Sequence, residues 1–152
     1  MITAASIPIQ DIPICKLTLP LPPGINGSYG IGTTTEGSSR IIATAALKRF
    51  KKDAVILLNN QFQLMSAFEL EHINCMVRMV KKQHLPLAVD MHAYFKDVWG
   101  MDVDACIKAA QDALFKKLHI DDKHVFDLHV RKHQDIRDPR CEMSVSLLQD
   151  EI

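Results

Sequence analysis

Apolar residues recur along the chain with two different periods, and the changes of period predict strands alternating with helices. Residues 85–95 alternate apolar with mostly polar or smaller side chains, which predicts a half-buried strand. Ser66 and Glu69 have the spacing of a capping box and predict a helix that runs to about Gln83. A further helix is predicted from about residue 103 to residue 117.

The remaining elements follow from shorter patterns. Prolines, glycines and an asparagine mark residues 22–39 as a loop, and residues 59–65 are ambiguous. The final two strands are close enough in sequence to pair as a hairpin. Strands are predicted at 15–21, 40–44, 125–133 and 141–148, and a helix from 45 to about 58.

This order, β-β-α-α-β-α-β-β, predicts an α+β (α/β-like) fold in which helices pack against a mixed sheet. The length of 152 residues suits one domain. Residues 1–14 contain two prolines and no helical period, so we expect an N-terminal tail or an added edge segment there. Residues 15–152 would then form the single domain.

Composition limits the classes of function. The formal net charge of +0 counts against a protein that binds nucleic acid over its whole surface, although a carboxylate cluster would cancel basic patches elsewhere. The four cysteines form no CxxC pair, which excludes zinc-ribbon and thioredoxin-like sites and predicts buried free thiols in a reducing cytoplasm. No apolar run reaches the ~18 residues of a membrane span.

The most informative motif is acidic. Asp102, Asp104 and Asp112 flank Lys108 at and within the predicted helix, and Asp121-Asp122 follows it. Closely packed carboxylates repel one another unless a cation lies between them, and Mg²⁺ and Mn²⁺ prefer such oxygen ligands. A metal held in this way is suited to phosphodiester cleavage. The alternative is structural, because an aspartate at a helix start and a lysine four residues from an aspartate are common surface features.

These residues resemble the RusA family of Holliday-junction resolvases. The resemblance is carried by Asp102-x-Asp104-x-x-x-Lys108-x-x-x-Asp112-Ala-Leu with Asp121-Asp122, and by the upstream loop Pro22-Pro23-Gly-Ile-Asn26 after a strand. Lys132, near the end of a later strand, also fits, and the similarity covers roughly residues 15–148. Two positions depart from the family pattern: Ala105 replaces an asparagine, and Trp99-Gly-Met101 replaces basic residues before the first aspartate.

The resemblance implies a cytoplasmic, homodimeric endonuclease, bacterial or phage-encoded, that binds four-way DNA junctions and nicks two opposing strands with Mg²⁺ or Mn²⁺. Asp102, Asp104 and Asp122 would be the catalytic and metal-binding carboxylates, and Lys108 the catalytic lysine that steadies phosphate charge. The Gly-rich loop would contact DNA or a second subunit; Asn26 is its best candidate for a DNA contact, and the alternative is that Asn26 only forms a turn. Candidate phosphate contacts are Lys48, Arg49, Lys51 and Lys52 on the first helix, and Arg131, Lys132, Arg137 and Arg140 near the final strands.

Two other functions stay open on sequence alone. Ala105 and the missing basic residues leave room for a non-catalytic DNA-binding member of the same fold. If the aspartates are only caps and surface charges, the chain would be an unrelated α+β interaction domain. Trp99 could stack on a base at a junction, but we expect it to pack under its loop.

Overall fold

A mixed sheet of four strands forms the centre of the molecule, in the order β1-β6-β4-β5, with a separate two-stranded sheet, β2-β3. The computed structural model describes residues 10–149, apart from the side chains of Ile25 and Asn26. The strands are β1 Ile12–Pro20, β2 Tyr29–Thr33, β3 Ser39–Ala43, β4 Leu87–Phe95, β5 Val125–Gln134 and β6 Arg140–Leu147; the helices are α1 Ile25–Ser28, α2 Ala45–Leu64, α3 Ala67–Gln83 and α4 Ile107–Leu118. The predicted α+β fold class is confirmed.

The predicted hairpin between the last two strands is wrong. β5 pairs in parallel with β4, and β6 lies between β4 and β1, antiparallel to both. Burial explains why β6 lies inside the sheet and β5 at its edge. Alternate residues of β6 are fully buried, whereas β5 carries exposed Phe126 and Leu128. The strand with the continuous apolar face gains most from the centre of the sheet, so β5 is left at the edge.

One face of the sheet forms the core and the other is polar. Leu17, Val89, Met91, Met143 and Val145 are buried beneath the helices. The opposite face carries ionisable and hydroxyl side chains from all four strands. They include Lys16, Thr18, Asp90, His92, Tyr94, Arg131, His133, Arg140, Glu142 and Ser144.

Helix α2 continues through the ambiguous segment to Leu64, and Gln61 shows why. Its side-chain amide accepts a hydrogen bond from the Thr18 N–H (2.8 Å) and donates one to the Thr18 carbonyl (2.7 Å). It therefore satisfies free backbone groups on the edge of β1, which would otherwise need water. This contact joins residues 43 positions apart, so the local sequence does not reveal it.

The capping box at the start of α3 is confirmed. The Ser66 hydroxyl accepts from the Glu69 N–H (3.1 Å), and the Glu69 carboxylate accepts from the Ser66 N–H (2.7 Å). The latter bond holds the pKa of the Glu69 carboxyl below its usual value. Helix α3 ends at Gln83, as predicted, with His84 in the left-handed conformation (φ 54°) that closes a helix.

Residues 22–39 are more structured than the predicted loop. They contain the single turn α1 and strand β2, which pairs with β3. Gly32 permits this pairing, because a β-carbon there would lie 2.7 Å from the Ile42 side chain. The exposed Ile31 and Ile41 face each other across the two strands.

The N-terminal segment is described only in part. Residues 1–9 lie outside the described residues, and residues 12–14 already belong to β1, an edge strand. Within residues 10–149, no helix is long and apolar enough to cross a bilayer.

The cysteines are free, but not all are buried as predicted. Burial raises the pKa of both Cys15 and Cys141 to about 12, and it also raises the pKa of Cys106. Cys75, however, is exposed on α3, because its position falls outside the helix's apolar stripe. Cys106 and Cys141 are therefore buried thiols, Cys15 is partly buried, and Cys75 is exposed.

Candidate active site

The acidic motif occupies a turn and the helix that follows it. Helix α4 begins at Ile107, later than predicted, because the chain first makes turns in which the N–H groups of Ala105 and Ile107 donate to the carbonyls of Asp102 and Asp104 (both 3.2 Å). The predicted helix implied that Asp104 and Lys108 share a face. Asp104 instead lies in the turns before α4 and does not share a helix face with Lys108. Both aspartate side chains are exposed, so water or a ligand can reach them.

Lys108 joins the helix to the segment that follows it. Its ammonium group lies 2.8 Å from Oδ1 of Asp112, one turn along α4, and 3.0 Å from Oδ2 of Asp122. These hydrogen bonds, first to Asp112 and then to Asp122, hold the pKa of Lys108 above its usual range. The lysine is therefore a fixed cation at neutral pH and a hydrogen-bond donor, not a base.

The two adjacent aspartates after α4 have different roles. Asp121 begins a short 3₁₀ turn, Asp122–His124, and its carboxylate accepts a hydrogen bond from the Lys123 N–H (3.0 Å). That bond holds the pKa of the Asp121 carboxyl below its usual value. Asp122 turns toward α4 and meets Lys108. The structure thus separates a capping aspartate from one directed at the candidate site.

Lys132 holds the turn that leads into the acidic motif. From β5 its half-buried ammonium group donates to the carbonyl of Val98 (2.6 Å) and to that of Met101 (2.9 Å). Both hydrogen bonds are charge-assisted and fix the backbone just before Asp102. The predicted contact of Lys132 with DNA stays a prediction. Arg131, its neighbour, is exposed on the polar sheet face beside Asp90 and Asp127.

Gly24, at the start of the short helix α1 that carries Asn26, lies against the acidic turn. A β-carbon placed on Gly24 would lie 3.5 Å from Cε of Met101 and 3.6 Å from Cβ of Ala105. The Asn26 side chain lies outside the described residues, so its predicted DNA contact stays a prediction. The two sequence segments behind the family resemblance are therefore neighbours in space, although more than 70 positions separate Gly24 from Met101.

A small cavity of about 110 Å³ connects these elements. Lys108, Asp112, Tyr29 and Lys51 are among the residues that line it. Lys51 belongs to a basic cluster in the sequence, and no local signal separates it from Lys48, Arg49 and Lys52. No sequence motif marks Tyr29, which lines this cavity because the fold brings it close to residues of α4.

The carboxylates fit a hard divalent cation in chemistry but not in their present arrangement. Asp102, Asp104 and Asp122 are exposed oxygen donors of the kind that Mg²⁺ binds. In the described part of the chain, however, no three His, Cys, Asp or Glu side chains lie close enough to hold a metal together. Asp122 is instead neutralised by Lys108. The predicted metal set therefore stays a prediction.

A family model described as "Endodeoxyribonuclease RusA" matches residues 26–146, which is most of the chain. The matched range contains both the acidic turn with α4 and the β2-β3 sheet. A search of curated proteins found no match.

Proposed function

Because the chain belongs to the RusA family of endodeoxyribonucleases, we propose that it resolves four-way (Holliday) junctions by paired symmetric nicks in DNA recombination and repair. The observation that best supports this proposal is the position of Lys108. It is a permanent cation among carboxylates at the start of α4, next to the turn of the acidic motif. Such an arrangement can bind and polarise a phosphate group.

In the proposed reaction, water attacks the scissile phosphorus and the bond to the 3′ oxygen breaks. The products are a 5′-phosphate and a 3′-hydroxyl. Lys108 donates to a non-bridging phosphate oxygen and stabilises the charge that grows on it in the transition state. Asp102, Asp104 and Asp122 are the proposed catalytic carboxylates, and Lys132 positions the first of them through the carbonyls of Val98 and Met101.

We propose that Asp102, Asp104 and Asp122 also bind Mg²⁺, or Mn²⁺ in its place. When bound, such an ion would neutralise phosphate charge and lower the pKa of a coordinated water. Asp102, Asp104 and Asp122 do not form a grouped ligand set within the described residues, and Asp122 contacts Lys108, so the carboxylates must come closer together for all three to share an ion. Metal binding would also relieve repulsion between them, which favours that rearrangement.

The DNA contacts are proposed from charge and position. Asn26 would contact DNA from its loop beside the acidic turn, and Lys51 would meet phosphates from the cavity edge. Arg131 would do so from the polar face of the sheet, and the predicted contact of Lys132 competes with its two protein hydrogen bonds. Because a four-way junction has near two-fold symmetry, paired nicks require two identical sites, and we propose a homodimer acting in the cytoplasm.

The experiment that tests this proposal measures nicking of an end-labelled synthetic four-way junction with Mg²⁺ and with Mn²⁺. A linear duplex of the same sequence is the parallel substrate. Asp104→Asn removes a proposed ligand, and Asp53→Asn on the exposed face of α2 is the matched control. We expect symmetric nicks on the junction alone, lost in Asp104→Asn or with chelator and retained in Asp53→Asn. Nicking that survives in Asp104→Asn would contradict the site.

A second function, junction binding without cleavage, is favoured by two observations. Lys108 already neutralises Asp122, and no three potential metal ligands are grouped within the described residues. In the same experiment this function predicts a stable complex with the junction in gel-shift measurements and no nicks with either metal.

A further inference from the structure

Among the side chains that the structure describes, Trp99 is the most exposed large hydrophobic one, with 92% of its surface accessible. The expectation that it packs under its loop is therefore wrong. Keeping an indole in water forgoes the free energy of burying it, which is large for so big a side chain. A single exposed hydrophobic residue is common on protein surfaces, so a partner is inferred from how the backbone of Trp99 is held and from where the side chain lies.

The backbone that carries Trp99 is held on both sides. Its own N–H donates to Oδ1 of Asp97 (2.9 Å), and the Gly100 N–H donates to the Asp97 carbonyl (3.3 Å). Lys132 donates hydrogen bonds to the carbonyls of Val98 and Met101, which lie on either side of the tryptophan in sequence. These hydrogen bonds fix the backbone of the turn while the indole is exposed to solvent. Little backbone entropy would therefore be lost when a partner covers the indole.

The position of the indole points to DNA as the partner. Trp99 precedes Asp102 by three residues, where the family resemblance leads one to expect basic side chains. A cation at this position would bind backbone phosphates in branched and linear DNA alike. An indole instead binds favourably by stacking on the flat face of a base. In a continuous duplex these faces are covered by neighbouring base pairs, but at a branch point some are exposed.

We propose that Trp99 stacks on a nucleobase exposed at the branch point and so favours branched over linear DNA. This inference rests on the proposed function, because it assumes that the acidic turn beside Trp99 approaches a junction. It assigns the discrimination between DNA structures to one aromatic side chain, separate from the groups that act on the phosphate.

The chain provides its own probe, since Trp99 is its one tryptophan. Intrinsic fluorescence is measured while a four-way junction, or a linear duplex of the same sequence, is added in chelator so that no strand is cut. Anisotropy of a labelled junction reports binding in the same samples. We expect the junction to quench the emission and the duplex to leave it nearly unchanged at equal occupancy.

Variants test how much Trp99 contributes to the free energy of junction binding. Trp99→Ala should weaken junction binding on the order of tenfold, and Trp99→Phe should keep most of the affinity because it keeps an aromatic face. Phe68→Ala on α3 is the matched control, since Phe68 is 84% exposed and lies outside the candidate site. Its affinity should equal that of the parent protein.

The other outcomes are distinguishable. A junction that binds and is nicked without quenching, or with equal affinity for Trp99→Ala, would overturn the stacking role and leave the nuclease proposal intact. Equal quenching by the duplex would overturn the discrimination. A change of emission with protein concentration, and none with DNA, would mean that another copy of the chain covers Trp99. If no junction is bound or nicked, the proposed function fails, and this inference fails with it.

Discussion

The ammonium group of Lys108 lies 3.0 Å from a carboxylate oxygen of Asp122, and this contact joins the start of α4 to the turn after its end. Both side chains are more than 40% exposed, so the pair adds little to folding stability. Its value is positional: it places a permanent positive charge next to a carboxylate at a surface that DNA can reach.

Replacing Lys108 tests that role. Lys108→Met should lower the single-turnover nicking rate on the order of 100-fold, because it removes a donor to the charged transition state. Lys108→Arg keeps the charge and should retain part of the rate. The matched control is Lys82→Met, in the last turn of α3, which should nick at the parent rate. A Lys108→Met protein that melts normally and nicks at the parent rate would exclude Lys108 from catalysis.

Replacing Lys132 separates a positioning role from a DNA contact. Lys132→Met removes both hydrogen bonds to the turn before Asp102, and we expect the nicking rate to fall at least about tenfold while junction affinity changes little. Arg131→Met, on the opposite sheet face, should instead weaken binding and lower the slope of log affinity against log salt by about 1. If Lys132→Met changes the salt slope in the same way, its ammonium group contacts phosphate in the complex.

The capping box gives a prediction about stability. Ser66→Ala removes the hydroxyl that accepts the Glu69 N–H at the start of α3, and should lower the free energy of unfolding by about 1 kcal/mol. Ser66→Asp keeps an acceptor and should stay close to the parent protein. Urea unfolding followed by circular dichroism measures both. A stability loss as large for Ser66→Asp as for Ser66→Ala would mean that capping is not the cause.

Asp135 should make stability depend on pH in acid. Its carboxylate accepts a hydrogen bond from Arg140 Nη1 (2.9 Å) and from the N–H groups of Arg137 and Asp138 (both 3.1 Å), and these bonds, the one from Arg140 first, hold its pKa below the usual value. A group whose pKa is lower in the folded state stabilises the fold above its unfolded pKa, near 3.9, and loses that effect as the pH falls through the folded value.

Asp135→Asn should therefore be less stable than the parent near neutral pH, and the difference should shrink below about pH 4. Urea midpoints of the two proteins measured across this range provide the test. A difference that stays constant with pH would show that the charge of Asp135 does not contribute, and that only its shape or its turn geometry matters.

Features that depend on near neighbours could be predicted from the order of residues alone. Ser66 and Glu69 are three positions apart, so their mutual hydrogen bonds could be predicted from spacing alone. The alternation in β4 and the apolar stripe of α3 likewise predicted two elements close to their observed bounds. The acidic motif and the proline-containing loop together identified the family, because each is a local pattern of residue types.

Features that depend on competition between distant segments were set by the packing of the whole fold. β6 displaced β5 from a hairpin because its buried face suited the centre of the sheet, and no local signal ranks two strands in that way. Gln61 lies in a helix and bonds to Thr18, and Lys132 bonds to the backbone beside Trp99. In each case the two bonded residues are more than 30 positions apart in sequence. A side chain's final partner depends on which segments pack beside it, and the free energy of that packing is a property of the whole fold.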